Sequence, residues 1–508
     1  MGRQVSRPVR RTGAPEATVA LGSAIAVAAA VIVASTPHGP GISPDSALYL
    51  SVAEKLGSGH GLTGYGNEVL VAFPPGYPLL LAVLDLLPGV SPLSAARVGD
   101  AVLLGLIVLA SWGLLRAMVL SEPLRVAGLL LVATATTVVR SASFAWSEPL
   151  FILVSLGAIW ALWRAVERPA SWGWLVAAVV AAEAAFFVRY VGLVLVPLGA
   201  VAFLVGGRRW RAVGFAAAAG AGPATWMARN AALSPGPFGP RDPVTTSFGD
   251  TLPDVARALG RLVAPFELAS PLRAIALALA CVLGGWALVA ARRGRGPAAP
   301  VLTWLLLGFA ALHLLVLVGA SASTEIEWTD DRLLAPVLVP ALLGGLGLVD
   351  AAVRERPDWR RSGHAAIAAC AAVLLLAAGF AWSSLKWLQE VSDGVGYAAP
   401  RWRNSQLARL VAAGHLGGTI FSNSPDAIFQ LTGVDARCWP RNLAPGGCSG
   451  TPTSERDAVD RLKARPARVV WFFGGGSRSG PRAPAGVAVR PVRRARDGAV
   501  YRVSWARR

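Results

Sequence analysis

The chain has 508 residues, 54% of them hydrophobic and 15% charged, with a mean hydropathy of +0.53 and a formal net charge of +19. Soluble domains carry charge on about a quarter of their residues, so this composition excludes an ordinary soluble protein and points to the membrane. The positive excess sits in short links between apolar runs, which excludes nucleic acid as its natural partner.

Residues 1–11 are basic and residues 17–36 apolar. The apolar run is too long for a signal peptide, and Ala28-Ala29-Ala30 lies inside it, so it is expected to stay as a first span. Further runs fall at 96–117, 125–142, 148–165, 172–189, 190–206, 212–228, 270–291, 298–320, 333–350 and 364–382, about eleven spans in all. With that number, the arginine clusters before 17 and near 116–125, 164–168, 208–211, 292–295 and 354–361 fall on one side. The positive-inside rule assigns that side to the cytoplasm of a plasma-membrane protein, with the N-terminus. The loops 37–95, 143–147, 229–269 and 321–332 and the tail are then extracytoplasmic.

The outer loop 37–95 holds Ser43-Pro44-Asp45-Ser46-Ala47-Leu48-Tyr49 and Phe73-Pro74-Pro75-Gly76-Tyr77-Pro78. Asp45 suits a helix N-terminus, but a carboxylate directly after a span exit also suits a general base on a lipid-borne substrate. Tyr77 suits an interfacial aromatic belt or a substrate wall. Leu79 to Leu87 is too short to span and reads as an interfacial helix.

Glu148, in Trp146-Ser147-Glu148-Pro149, opens a span as a cap or faces a cavity. Arg189 sits at an outer span end, against the charge rule, so an anionic partner is expected. Arg229 and Arg332 occupy two further outer ends, and three guanidinium groups on one face would cradle a phosphate. Asp330 or Asp331 pairing with Arg332 is the structural alternative.

Residues 383–508 change character. Helical signals at Ser405 to Ala413 and Arg456 to Lys463 alternate with strand-like Thr419 to Phe421, Arg468 to Phe473 and Ala499 to Val503. This reads as a small soluble α/β domain after a membrane domain of residues 1–382. Cys438 and Cys448 are placed to form a disulfide there. No histidine spacing suggests a metal site.

These pieces resemble the GT-C membrane glycosyltransferases, the superfamily of protein O-mannosyltransferases and the lipid A aminoarabinose transferase. Asp45 with Tyr49, Gly57 to Gly61, Phe73 to Pro78, Ser147 to Leu150, Arg189, Trp226 to Asn230 and Asp331-Arg332 through Pro336 follow in the expected order. In the tail, Ser422 to Ala427 is similar to appended soluble domains. The chain departs at Ser46, where relatives often carry Glu, and at Leu333, where Tyr is common.

The resemblance implies a polytopic α-helical membrane protein with a small C-terminal extracytoplasmic α/β domain. It implies an inverting hexosyl or pentosyl transfer from a polyprenyl-phosphate sugar to a hydroxyl of a glycan, lipid or protein. Asp45 is then the base, Arg189, Arg229 and Arg332 bind the donor phosphate, and Tyr49, Tyr77, Glu148 and Asp331 bind substrate. No cofactor is required by this reading; a divalent cation stays an open addition, since Glu148 is able to hold one. A transporter or lipid flippase is the alternative. It predicts inverted repeats and polar midplane helices, neither of which is evident. A non-catalytic assembly protein would not need the Asp45 carboxylate.

Overall fold

The computed structural model describes residues 14–241, 248–264, 271, 273–274, 285, 301–324, 326–328, 330–355, 364–414, 416–440, 443, 455–464, 466–473 and 480–505. In chain order the first helices are α1 (Ala14–Ala34), α2 (Pro44–Gly57), α3 (Gly76–Asp85), α4 (Pro92–Met118), α5 (Glu122–Thr134) and α6 (Thr136–Ala142). They continue as α7 (Glu148–Glu167), α8 (Trp172–Val188), α9 (Leu195–Val205), α10 (Arg209–Leu233) and α11 (Phe248–Val263). Long helices Val301–Ala320, Ala335–Glu355 and His364–Asp393 follow.

Among the described residues six helices are long and apolar enough to cross a membrane. A seventh arises if α5 and α6, bent by 47° at Ala135, form one span. Hydroxyls repair that break. Thr134 Oγ1 donates to Ala377 O, Thr136 Oγ1 to Phe380 O and Ser384 Oγ to Thr134 O, so the polar groups freed by the bend stay satisfied. The protein is an integral membrane protein. Of the expected spans, 172–189 and 190–206 are shorter apolar helices, and 212–228 lies in α10, which falls short of the same apolarity. The span expected at 270–291 lies almost wholly outside the described residues.

The membrane core is built by α4, α7, α8, Val301–Ala320 and Ala335–Glu355 around fully buried Ile107, Leu115, Phe151, Leu162, Phe309 and Leu343. Three loop segments meet at the end of the bundle that carries α2. Gly41 N donates to Ser143 O at 2.8 Å, Ala145 N to Gly41 O at 3.0 Å and Tyr397 N to Ile42 O at 2.8 Å. This backbone pairing sets the stretch before Asp45 against the stretch before Glu148.

The short helix expected near Leu79 is α3, packed on α2 and α4 with Leu79, Val83, Leu86 and Leu87 exposed. Its first residue, Gly76, lies against the end of α8. A Cβ there would stand 2.6 Å from Phe187 O, so the Pro-Pro-Gly turn needs a residue without a side chain. Gly76→Ala is expected to lower stability by about 1–3 kcal/mol, the usual cost of overpacking, read as a fall in melting temperature of the detergent-solubilised protein.

The tail forms a five-stranded sheet, order β2-β1-β3-β5-β4. Its strands are β1 (Thr419–Ser422), β2 (Arg437–Cys438), β3 (Ala467–Phe472), β4 (Val487–Arg494) and β5 (Gly498–Trp505). β1 pairs parallel with β2 and β3, while β5 runs antiparallel to β3 and β4. Helix Gln406–Ala413 covers one face through Leu407 and Val411, which pack with Val470, Phe472 and Val500. Helix Glu455–Ala464 covers the other through Ala458 and Leu462, against Val469 and Trp471. Strands β2 and β4 were not evident in the sequence, since β2 is two residues long and β4 is rich in arginine with Pro491 inside. Cys438 is disulfide-bonded; Cys448, its expected partner, lies outside the described residues.

Candidate active site

Asp45 is set by the start of α2. Ser43 caps the helix, Pro44 opens it, and Ser43 and Ser46 exchange backbone-to-hydroxyl hydrogen bonds in a capping box. Ser46 is therefore a structural residue, which accounts for the absence of an acid there. The cap leaves Asp45 free to point outward in the first turn, where the helix dipole favours its charge.

Arg332 reaches it. Its Nη2 stands 2.7 Å from Asp45 Oδ2 and its Nε 3.0 Å from Asp330 Oδ2. The guanidinium lies 4.9 Å over the ring of Trp146, whose Nε1 donates to Ser43 Oγ at 2.8 Å. Trp146 in turn stacks on Phe144 at 4.1 Å. The side chains of Asp45 and Arg332 are 25% and 21% exposed, so the pair is open to water.

A second pair lies beside the first. Arg189 caps α8 in extended conformation, and its Nη1 sits 2.7 Å from Glu148 Oε1 and donates to Ser147 Oγ at 2.9 Å. The expected anionic partner of Arg189 is thus Glu148. Among the described residues neither Glu148 oxygen has a hydrogen-bond partner, and its charge is met by the close Arg189 ion pair, with Arg332 acting on it from further off. Tyr49 OH lies 3.4 Å from Ser147 Oγ. Burial pushes the Tyr49 hydroxyl well above its ordinary pKa, and the Asp45 charge adds to this.

The four side chains expected to touch substrate are all buried: Tyr49 at 3%, Tyr77 at 0%, Glu148 at 1% and Asp331 at 1% exposure. Tyr77 packs edge-on against Tyr49 and donates to Asp100 Oδ2 at 2.6 Å, and burial with that carboxylate raises its pKa. Asp331 accepts from Arg261 Nε at 2.7 Å and thereby ties α11 to the turn before Ala335–Glu355. It is Asp330, not Asp331, that pairs with Arg332. These residues brace the site from behind.

Arg229 is not joined to the other two arginines by any contact among the described residues. Its Nη1 donates to Leu70 O at 3.0 Å and to Asn230 Oδ1 at 2.8 Å, and its guanidinium lies 4.4 Å over Trp226. It belongs to a strap formed by residues 65–72. Tyr190 OH donates to Val71 O at 2.8 Å and Arg241 Nη2 to Ala72 O at 3.0 Å. At its other end the strap is held by the tail. Arg437 contacts Glu68 at 2.9 Å and Gly66 O at 2.6 Å, and Asp435 accepts from Gly66 N at 3.1 Å. Gly66 has φ +72°, and a Cβ there would meet Ala436 O at 3.0 Å, so this contact requires glycine.

Arg241 was missed from the sequence, although it is one more arginine on the acid-bearing face. Surrounding protein lowers its pKa, against the opposing charges of Tyr190, Asp45 and Tyr49. Arg241 is nevertheless exposed. Among the described residues no three His, Cys, Asp or Glu side chains gather to hold a metal ion.

No protein-family model matches the chain, and no curated protein sequence matches it. Solved structures do match. ArnT from Cupriavidus metallidurans bound to undecaprenyl phosphate superposes with a TM-score of 0.59 at 14% identity, covering 96% of this chain and 98% of ArnT. Its apo form gives 0.61 at 15% identity, with the same coverage. The fold is that of the GT-C glycosyltransferases. The archaeal oligosaccharyltransferase AglB from Archaeoglobus fulgidus, in complex with an inhibitory peptide and a dolichol-phosphate, also shares the GT-C fold. Its TM-score is 0.52 at 12% identity over 91% of this chain and 70% of AglB. At such identities the GT-C likeness concerns the fold.

Proposed function

We propose that this chain is a glycosyltransferase that moves a sugar from a polyprenyl-phosphate donor to an acceptor hydroxyl on the extracytoplasmic side, with inversion. The observation that carries the reading is the water-accessible Asp45–Arg332 pair at 2.7 Å, at the end of the apolar helices. A base and a phosphate-binding cation stand together where a lipid headgroup is reached. The matched ArnT and AglB structures hold undecaprenyl phosphate and dolichol-phosphate respectively, which supports a lipid phosphate here. About eleven spans, a cytoplasmic N-terminus and an extracytoplasmic domain of residues 383–508 complete the reading.

Arg332 has five N–H donors, and an incoming phosphate competes with Asp45 for them. Binding then frees the carboxylate as it anchors the donor. Asp45 takes the acceptor proton while the acceptor oxygen attacks the anomeric carbon. The sugar–phosphate bond breaks on the opposite face, and charge growing on the departing phosphate is met by Arg332, with Arg189 and Arg241 beside it. Arg229 contributes through the strap. Acceptor classes are a glycan, lipid or protein hydroxyl.

The test is transfer of labelled sugar by the purified protein in liposomes. Transfer from a polyprenyl-phosphate sugar is expected, and transfer only from a nucleotide sugar overturns the reading. Guanidinium groups already face both carboxylates, so the rate is expected to stay within about twofold on adding a divalent-metal chelator. A loss of tenfold or more would assign a cation to the site.

A further inference from the structure

Arg332 is held by more than the carboxylates of Asp45 and Asp330. Its guanidinium lies 4.9 Å over the ring of Trp146, and with Trp146 begins a run of nearly parallel rings. Trp146 stacks on Phe144 at 4.1 Å with 13° between the planes, and Phe144 on Trp387 at 6.1 Å with 17°. A second guanidinium, that of Arg140 on α6, lies 4.8 Å over Trp387. The charge of Arg140 acts on Asp331, the chain neighbour of Arg332, so the stack meets the 330–332 turn through both arginines.

Each ring is pinned. Trp146 Nε1 donates to Ser43 Oγ and Trp387 Nε1 to Ser143 Oγ, both at 2.8 Å. Gly41 closes on Phe144, since a Cβ there would stand 2.6 Å from its ring. Phe144 and Trp146 are buried and Trp387 half-buried. Trp387 comes from the helix His364–Asp393, 244 positions beyond the serine that anchors it.

A guanidinium is planar and carries its five N–H donors in that plane. A ring over its face therefore leaves the donors free at the edge. Nη2 and Nε of Arg332 already meet Asp45 and Asp330, so the plane of Trp146 decides where the remaining N–H groups aim. Bidentate capture of a phosphate depends on that aim, because parallel N–H groups must reach separate oxygens together. An apolar prop needs no parallel order, since aromatic pairs also settle edge-on, as Tyr49 and Tyr77 do at 78°.

We infer that Phe144 and Trp387 are positioning residues for the donor phosphate. Acting through Trp146, they fix the plane of the Arg332 guanidinium. This deepens the proposed transfer and rests on that reading for the identity of the anion.

The test titrates the full-length protein in detergent with farnesyl phosphate, a short polyprenyl phosphate. Trp387→Leu keeps apolar bulk without the ring and is expected to weaken binding about fivefold or more, the scale of a cation–π contact. Trp387→Phe restores a ring and is expected to stay within about twofold of the parent. In an Arg332→Gln background, Trp387→Leu is expected to change affinity by less than about twofold, because a positioning effect has no guanidinium left to act on. A general loosening of the fold would weaken both backgrounds alike. Ser143→Ala frees the Trp387 indole while keeping its bulk, and is expected to weaken binding about twofold at an unchanged melting temperature, which keeps the inference testable if Trp387→Leu does not fold. Parent-like affinity in Trp387→Leu, an equal loss in both backgrounds, or Trp387→Phe as weak as Trp387→Leu each overturns the inference. A parent that binds no farnesyl phosphate overturns the transfer reading along with it, whereas a binding parent with unaltered variants sinks the positioning role alone.

Discussion

Replacing Asp45 with Asn is expected to cut sugar transfer by about 10²–10⁴-fold, the range contributed by a positioned general base. Asparagine keeps the size of the side chain and an oxygen that accepts from Arg332. It cannot take a proton from an acceptor hydroxyl. The cost to the fold is small, because Asp45 is 25% exposed and the capping box of Ser43 and Ser46 is untouched. Loss of its charge at the α2 N-terminus should remove about 0.3–1 kcal/mol at most. Initial rates in liposomes, with the melting temperature as control, check this. An unchanged rate in a well-folded variant would remove Asp45 from the chemistry.

Arg189→Ala is expected to act on stability as much as on activity. It leaves Glu148, 1% exposed and with no hydrogen-bond donor among the described residues, as a buried carboxylate that has lost its close ion pair and keeps only the more distant Arg332. Removing one partner of a buried pair costs about 3–5 kcal/mol, whereas replacing both by apolar groups is often neutral. The double variant Arg189→Met, Glu148→Leu should therefore regain most of the lost melting temperature without regaining full transfer. If Arg189→Ala alone melts like the parent, the pair does not hold α7 to α8.

The legibility of the chain follows where local patterns decide and where distant contacts do. Long apolar runs mark α1, α4, α7 and His364–Asp393 directly, because a span must satisfy its own backbone. The same runs cannot show the bend at Ala135, whose hydroxyl repairs come from residues 243 to 250 positions away. Asp45, Arg189 and Arg332 are readable as charges out of place at one membrane face. Their pairing is not, since Asp330 and Asp331 are adjacent yet go to different arginines, Arg332 and Arg261. The burial of Tyr77 beneath Tyr49 likewise depends on Asp100, at 23 positions' remove. Strand β4 escaped notice because its side chains face solvent with no alternation.

The strap joins parts of the chain made at very different times. Gly66 and Glu68 leave the ribosome early, while Asp435 and Arg437, which hold them, come 369 residues later in both cases. Arg332, which meets Asp45, also arrives long after it. Domains tend to fold as they emerge, but here the loop that carries residues 65–72 meets two of its partners only when residues 435–437 have been made. A product cut short before Asp435 would leave Gly66 and Glu68 without the two partners that hold the strap.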